Sequence, residues 1–179
     1  MKPIKLKLLS QDECNTINDE LQAFEKNNKF HYSRVDNSPA FSNPPIGVKM
    51  LNELRDTISQ SVGKNLSPTF SYGRIYKTGN VLPKHVDREA SEFGVSITTQ
   101  SDIEWPMFWE HDGEEIEESA DVGEALIYKG SKTPHWRKEY KGKQQIQLLL
   151  FYVDSEGVFS HLHNDKFVGT SLNKTKPNL

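Results

Sequence analysis

Three residues of this chain carry side chains that could hold a divalent cation between them. They are His85 and Asp87, separated by one valine, and His135, 48 positions beyond Asp87. In a strand, side chains at i and i+2 point the same way, so His85-Val86-Asp87 presents an imidazole and a carboxylate to one side. A second imidazole from a distant segment completes two nitrogens and one oxygen. Such a set covers one triangular face of an octahedral ion and leaves the other open, the arrangement suited to non-haem Fe(II) working with oxygen. A bare His-x-Asp is common by chance, and its weight here comes from what surrounds it.

The elements that must position these residues are legible in the patterning. Ser10-Gln11-Asp12-Glu13 reads as a capping box, and Cys14, Ile17, Leu21 and Phe24 follow at helical spacing up to Asn27-Asn28. Residues 28–46 are rich in Asn, Ser and Pro and read as a long loop, either a connector or a lid. A second helix then carries Val48, Leu51, Leu54, Ile58 and Val62 on one face and stops at Gly63. From Thr69 the chain turns to short segments rich in β-branched and aromatic residues: Thr69–Tyr76, Phe93–Thr99, Ile103–Trp109, Glu124–Lys129 and Gln144–Val153. His111-Asp112-Gly113 is a hairpin turn signal, and the acid run from Glu114 to Glu118 reads as a solvated hairpin edge. Two helices followed by a strand series predict a mainly β fold, a double-sheet jelly roll with the helices packed on one sheet.

Composition bounds the function. At 179 residues the chain is long enough for one domain with a real core. A net charge of −3, with 26% charged residues, gives no electrostatic footprint for nucleic acid. The single Cys14 excludes an intramolecular disulfide and a multi-cysteine zinc site, which suits a cytoplasmic location. The N-terminal Met1-Lys2-Pro3-Ile4-Lys5-Leu6-Lys7-Leu8-Leu9 lacks an apolar run of signal-peptide length, and no stretch approaches a membrane span, so no membrane partner is expected.

The run from Tyr72 to Asp87 (Tyr-Gly-Arg-Ile-Tyr-Lys-Thr-Gly-Asn-Val-Leu-Pro-Lys-His-Val-Asp) resembles the approach to the metal site in prolyl 4-hydroxylase-like 2-oxoglutarate/Fe(II) dioxygenases. Tyr76, nine positions before His85, and the turn glycine Gly79 match that pattern. Gly123 to Tyr128, His135-Trp136-Arg137 and Ile146 to Asp154 resemble the distal half of the same family, in particular its small bacterial and viral members. The resemblance covers roughly residues 66–154. It implies a cupin-like double-stranded β-helix core there, with residues 1–65 as helical cover and loop, 155–179 as a C-terminal extension, and 1–179 as one domain.

It also implies roles. His85, Asp87 and His135 would be the catalytic metal ligands, with Fe(II) as the metal, 2-oxoglutarate and O2 as cosubstrates and ascorbate as an accessory reductant. Tyr76 would contact 2-oxoglutarate. The family places an Arg or Lys nine to twelve residues beyond the distal His to pair with the far carboxylate of that cosubstrate. Here that window holds Gln144, Gln145 and Gln147. A buried carboxylate needs a cation, so Arg137 or Arg74 should supply it, with Gln145 or Gln147 donating amide hydrogen bonds and Lys143 as a more distant candidate. The implied reaction is hydroxylation of an unactivated C–H with release of succinate and CO2, first of all on a prolyl residue of a peptide or protein. Asp87 stands where halogenating relatives carry a small residue, so halogenation is not expected.

Substrate contacts are expected from Arg88 and Glu89 just past the metal loop, from Tyr32 and Arg34 in the 28–46 loop, and from Trp136 as a wall beside the metal. Two other classes stay open. One is a cupin-like protein with a different metal or no turnover, although cupins show His-x-His with a following Glu, and Glu89 comes too early for that. The other is a non-catalytic jelly-roll binding module in which the absent strand Arg or Lys reflects lost cosubstrate binding, and among enzymes a small-molecule hydroxylase is the alternative to a peptide one. The pair His161-Leu162-His163 has ligand-compatible spacing but sits in a polar tail, and His31 and His111 read as surface or loop residues.

Overall fold

A computed structural model describes residues 1–33 and 35–165. Arg34 and residues 166–179, including most of the expected C-terminal extension, lie outside the described residues. The architecture is two antiparallel sheets with helices over one of them. The strands are β1 (Ile4–Lys7), β2 (His31–Tyr32), β3 (Pro39–Ser42), β4 (Leu66–Lys77), β5 (Leu82–His85), β6 (Phe93–Ser101), β7 (Met107–His111), β8 (Glu114–Glu118), β9 (Glu124–Tyr128), β10 (His135–Arg137) and β11 (Gln144–Asp154). The helices are α1 (Gln11–Lys26), α2 (Pro45–Glu53) and α3 (Arg55–Val62). The larger sheet runs β1-β9-β6-β11-β4-β3-β2 and the smaller β5-β10-β7-β8. This is the jelly roll expected from the strand series.

The larger sheet is buried on both faces, and the period-2 alternation of its strands sorts residues between them. In β11, Ile146, Leu148, Leu150 and Tyr152 pack with Cys14, Ile17 and Leu21 of α1, Met50 and Leu51 of α2, and Ile58 of α3. The residues between them, Gln147, Leu149 and Phe151, face a cavity instead. Strand β4 does the same: Ile75 joins the helix-side core, while Phe70, Tyr72, Arg74 and Tyr76 line the cavity. Close helix contact explains Gly73, where a Cβ would stand 2.5 Å from Leu21 Cδ2.

The local signals behave largely as expected. The Ser10–Glu13 capping box is formed in full, and Gly63 ends α3 in the left-handed region at φ 65°. Asp112 and Gly113 take φ 52° and 80°, so the turn between β7 and β8 has the positive-φ pair that matches strand twist. Four expectations need correction. The second helix is two, α2 and α3, meeting at Leu54, and it begins at Pro45 because proline fits a first helical turn. The expected strand from Ile103 starts only at Met107, since Pro106 has no N–H for a ladder and Trp105 turns into a satellite cluster with Tyr76 and Tyr140. The 28–46 stretch is not a plain loop: β2 and β3 in it extend the large sheet beside β4. Finally, β1 and β10 have no counterpart among the expected strands, and the strand expected to carry His85-Val86-Asp87 ends at His85, leaving Asp87 in the segment that follows.

Candidate metal centre

Strand pairing brings the three candidate ligands together. β10 lies against β5 with His135 opposite His85, and Asp87 follows two residues after His85. The ligand atoms of His85, Asp87 and His135 all lie within 4.8 Å of one another. His85 Nε2 stands 3.5 Å from Asp87 Oδ1, and His135 Nε2 stands 3.8 Å from Oδ2. Both distances are too long for a direct hydrogen bond. They leave room for an ion between the three groups.

Each imidazole is oriented by its own strand. His85 Nδ1–H donates to the Pro83 carbonyl at 2.8 Å, and His135 Nδ1–H donates to the Thr133 carbonyl at 2.9 Å. A carbonyl can only accept, so the proton is fixed on Nδ1 and the Nε2 lone pair is aimed at the shared space. His135 is 1% exposed, and burial pulls its pKa down, favouring the neutral ligand form. Burial also pulls on His85, but its contacts with Asp87 and the Pro83 carbonyl outweigh this and hold its pKa up. Asp87 Oδ2 is buried without a hydrogen-bond partner. An orphaned buried carboxylate oxygen is costly unless something else completes it. The donor set and that orphan together fit a divalent cation.

Gly130 makes the site possible. Its carbonyl accepts from the Asp87 N–H at 2.9 Å. A Cβ on Gly130 would overlap Asp87 Oδ2 and stand 2.7 Å from the Ser91 carbonyl oxygen. Gly130 is not in the left-handed region, so the demand is for space alone. Gly130→Ala is expected to push the carboxylate off its position and weaken metal binding by about 10- to 100-fold, as displaced ligand supports do. Titration of the apo-protein with Mn(II) or Co(II) would check it, and an unchanged affinity would mean Asp87 is not held as described.

A cavity of about 370 Å³ adjoins the triad. Phe70, Tyr72, Arg74, Tyr76, Ser96, Tyr128, Gln147, Leu149 and Phe151 of the large sheet form one side. Leu82, His85, Met107, His135 and Arg137 of the small sheet form the other, and His31, Tyr32, Ser33 and Val35 close the rim. The rim therefore comes from the stretch read as a connector or lid. His31, expected at the surface, is part of this wall, 6.2 Å ring to ring from Tyr72.

The sequence-derived candidates divide. Tyr76, Arg74, Arg137, Gln147, Tyr32 and Arg88 all reach the cavity. Gln145 does not line it: its side-chain oxygen accepts from Ser101 Oγ at 2.7 Å. Trp136 does not either. It alternates away from its neighbours His135 and Arg137, stacks on Phe108 with centroids 5.9 Å apart, and has Lys84 over its ring. Glu89 begins a short 3-10 turn and is exposed. Arg88 packs its guanidinium on Phe70 at 4.3 Å and pairs with Asp165. Arg34 lies outside the described residues. His161 and His163 are exposed, as a solvated tail would be, and lie apart from the triad.

The two arginines differ sharply. Arg74 Nη1 pairs with Asp36 Oδ1 at 3.1 Å, and Tyr76 OH donates to Asp36 Oδ2 at 3.2 Å. Arg137 is 3% exposed, packs its guanidinium 4.8 Å from the Trp105 ring centre and donates to the Trp105 carbonyl. Among the described residues no carboxylate pairs with it. Burial pushes its pKa down to about 10. Beside it, burial raises the phenols of Tyr76 and Tyr128, so both remain O–H donors at neutral pH.

Asp36 was missed in the sequence reading, which stopped at Tyr32 and Arg34 in the same stretch. Burial would raise its pKa, but Arg74 and the Ser38 N–H and hydroxyl outweigh burial and hold it below its ordinary 3.8. A depressed folded-state pKa adds stability above the unfolded value, which is lost as pH falls through the folded one. Asp36→Asn, which leaves Arg74 buried without its counter-charge, should cost on the order of 3 kcal/mol at pH 7. Urea denaturation from pH 7 downwards should show the wild-type advantage shrinking only below about pH 4. A difference that is flat with pH would remove charge as its cause.

No protein-family model matches the chain, and no curated protein matches it in sequence. The fold, however, is shared with solved structures. A prolyl-4-hydroxylase of Pseudomonas putida superposes with a TM-score of 0.71 at 13% identity, over 85% of this chain and 92% of that one. A prolyl hydroxylase from Trichoplax adhaerens, bound to a fragment of the hypoxia inducible factor oxygen degradation domain, gives 0.71 at 10% identity over 86% and 84%. The non-haem α-ketoglutarate-dependent epimerase SnoN of nogalamycin biosynthesis gives 0.69 at 10% identity over 86% and 76%. At such identities the likeness establishes the fold.

Proposed function

We propose that the chain is an Fe(II)- and 2-oxoglutarate-dependent oxygenase that hydroxylates an unactivated C–H. One observation carries the reading: two imidazoles with their protons locked away and one carboxylate with an orphaned oxygen converge on a single point beside a cavity. His85, Asp87 and His135 would hold the iron and leave its opposite face toward the cavity. When bound there, iron with a 2-oxo acid and O2 supplies the oxidising power to replace a C–H hydrogen by hydroxyl, giving succinate and CO2. Ascorbate fits as the reductant that keeps such iron ferrous.

The chain's own residues do the rest. Arg137, a buried guanidinium with no carboxylate partner among the described residues, would take the distal carboxylate of 2-oxoglutarate in a charge-assisted pair. Tyr128 offers a neutral phenol donor along the same wall, while the Tyr76 proton is held by Asp36 and its ring and oxygen line the cavity. Gln147 is spoken for: its oxygen accepts from Ser96 Oγ at 2.8 Å and its amide donates to Thr98 Oγ1 at 2.9 Å. It therefore shapes the floor more than it supplies charge. Phe70, Tyr72, Phe151 and Leu149 make an apolar compartment that keeps water from the reacting carbon.

A prolyl residue of a peptide is the substrate we favour. Its saturated ring suits the aromatic compartment, and two of the three solved structures described above are named prolyl hydroxylases. The named epimerase keeps a small-molecule substrate as the second reading, and the cavity's limited volume of about 370 Å³ supports it. The test is anaerobic addition of Fe(II) and 2-oxoglutarate to the apo-protein, watching for the visible charge-transfer band of a chelated 2-oxo acid. A band that needs both additions supports the reading, and iron binding without a band would favour a metal-binding protein without turnover.

A further inference from the structure

Asp36 is a buried carboxylate that the proposed reaction does not use. It sits between β2 and β3, and its side chain is 0% exposed. Its Oδ1 accepts from the Ser38 N–H at 3.0 Å, from Ser38 Oγ at 2.7 Å and from Arg74 Nη1 at 3.1 Å, while Oδ2 accepts from Tyr76 OH at 3.2 Å. The two Ser38 contacts fix the carboxylate in its own segment, and the other two hold Arg74 and Tyr76 against the rim.

Arg74 is the residue that needs explaining. It lies directly across the β4–β11 ladder from Gln147, within the window where a cation for the cosubstrate was expected. It lines the cavity as Arg137 does, and its Nε is buried without a partner. Tyr76 stands within electrostatic reach of both guanidiniums. Two cations therefore border a cavity in which one distal carboxylate has to be read. With a divalent ion at the triad, two guanidiniums and two carboxylates, Asp36 and Asp87, leave two positive charges. That is the complement of one doubly charged oxo acid. Without Asp36 the excess would be three.

We infer that Asp36 is a specificity-determining residue that withdraws Arg74 from cosubstrate recognition, leaving the distal carboxylate to Arg137 alone. The inference rests on the 2-oxoglutarate reading above. It makes Asp36 a positioning residue, acting through the side chain it neutralises. Removing its charge should release Arg74 as a second reader for the same carboxylate.

The experiment is calorimetric titration of Mn(II)-loaded protein with 2-oxoglutarate and with 2-oxobutyrate, which keeps the 2-oxo acid head and lacks the distal carboxylate. Arg137→Met should bind 2-oxoglutarate no better than 2-oxobutyrate. Adding Asp36→Asn to that variant should recover at least about tenfold for 2-oxoglutarate and nothing for 2-oxobutyrate. No recovery, or recovery for both acids, overturns the inference. A second variant avoids the buried uncompensated guanidinium: Asp36→Asn with Arg74→Gln exchanges the ion pair for neutral amides. It should keep the wild-type 2-oxoglutarate constant within about twofold, and a loss of more than about tenfold would mean Arg74 itself holds the cosubstrate. If Arg137→Met alone changes nothing, there is no loss to recover and the inference falls, whereas a wild-type Mn(II) protein that binds neither acid would overturn the 2-oxoglutarate reading itself.

Discussion

His135→Ala is expected to abolish turnover and to weaken Fe(II) binding by more than about 100-fold while the protein stays folded. Loss of a mere supporting group around a metal already costs about 10- to 100-fold, and a ligand should cost more. Stability should suffer much less. His135 is buried and held in its neutral form, so its removal deletes one hydrogen bond to Thr133 and some packing against Tyr128, whose ring centroid is 4.7 Å away. Losses of that kind run to about 1–3 kcal/mol, against a total of about 5–15 kcal/mol. Metal content after dialysis, together with a melting curve, separates the two effects. Retained stoichiometric iron in a folded His135→Ala protein would remove the triad from consideration.

Arg137→Met is expected to raise the dissociation constant for 2-oxoglutarate on the order of 100-fold, because truncating one partner of a buried charge pair costs about 2–5 kcal/mol. The apo-protein should respond in the opposite sense. An unpaired buried guanidinium is a burden to the fold, visible in its pKa pushed down to about 10. Methionine keeps much of the packing on Trp105 without the charge, so the apo variant should be more stable by about 1 kcal/mol. Weaker cosubstrate binding with a firmer apo fold is the signature of a residue kept for function. A variant that lost stability and kept its 2-oxoglutarate affinity would assign Arg137 to structure instead.

The residues that signal themselves by local pattern were legible in the sequence. The His85-Val86-Asp87 motif is a local signal even though its strand ends at His85, and Asp112-Gly113 and the Ser10–Glu13 box encode their turn and cap within a few positions. Tyr76 was reached through the family resemblance and Arg137 through the need for a cation, and both line the cavity. What was hidden depends on pairing across the chain. Asp36 looks like one more polar residue in a loop until β3 docks on β4 and sets Ala40 opposite Arg74. Trp136 was misread because its neighbour's metal role suggested proximity, whereas alternation turns it to the other face. Short strands such as β2 and β10, of two and three residues, have too few positions to show a period at all.

β5 is four residues long, lies at the margin of the smaller sheet, and is paired only with the three-residue β10, with a register shift between its two paired positions. Such a ladder is the place where amide protons exchange through local opening long before the molecule unfolds. Yet it carries His85, and Asp87 follows it. A cation bound to both and to His135 would therefore act as a clasp on the sheet's loosest margin. Hydrogen exchange at residues 82–87 should slow on metal loading while the β4–β11 ladder stays as it was, so that occupancy of the centre is written in the opening rate of a single strand.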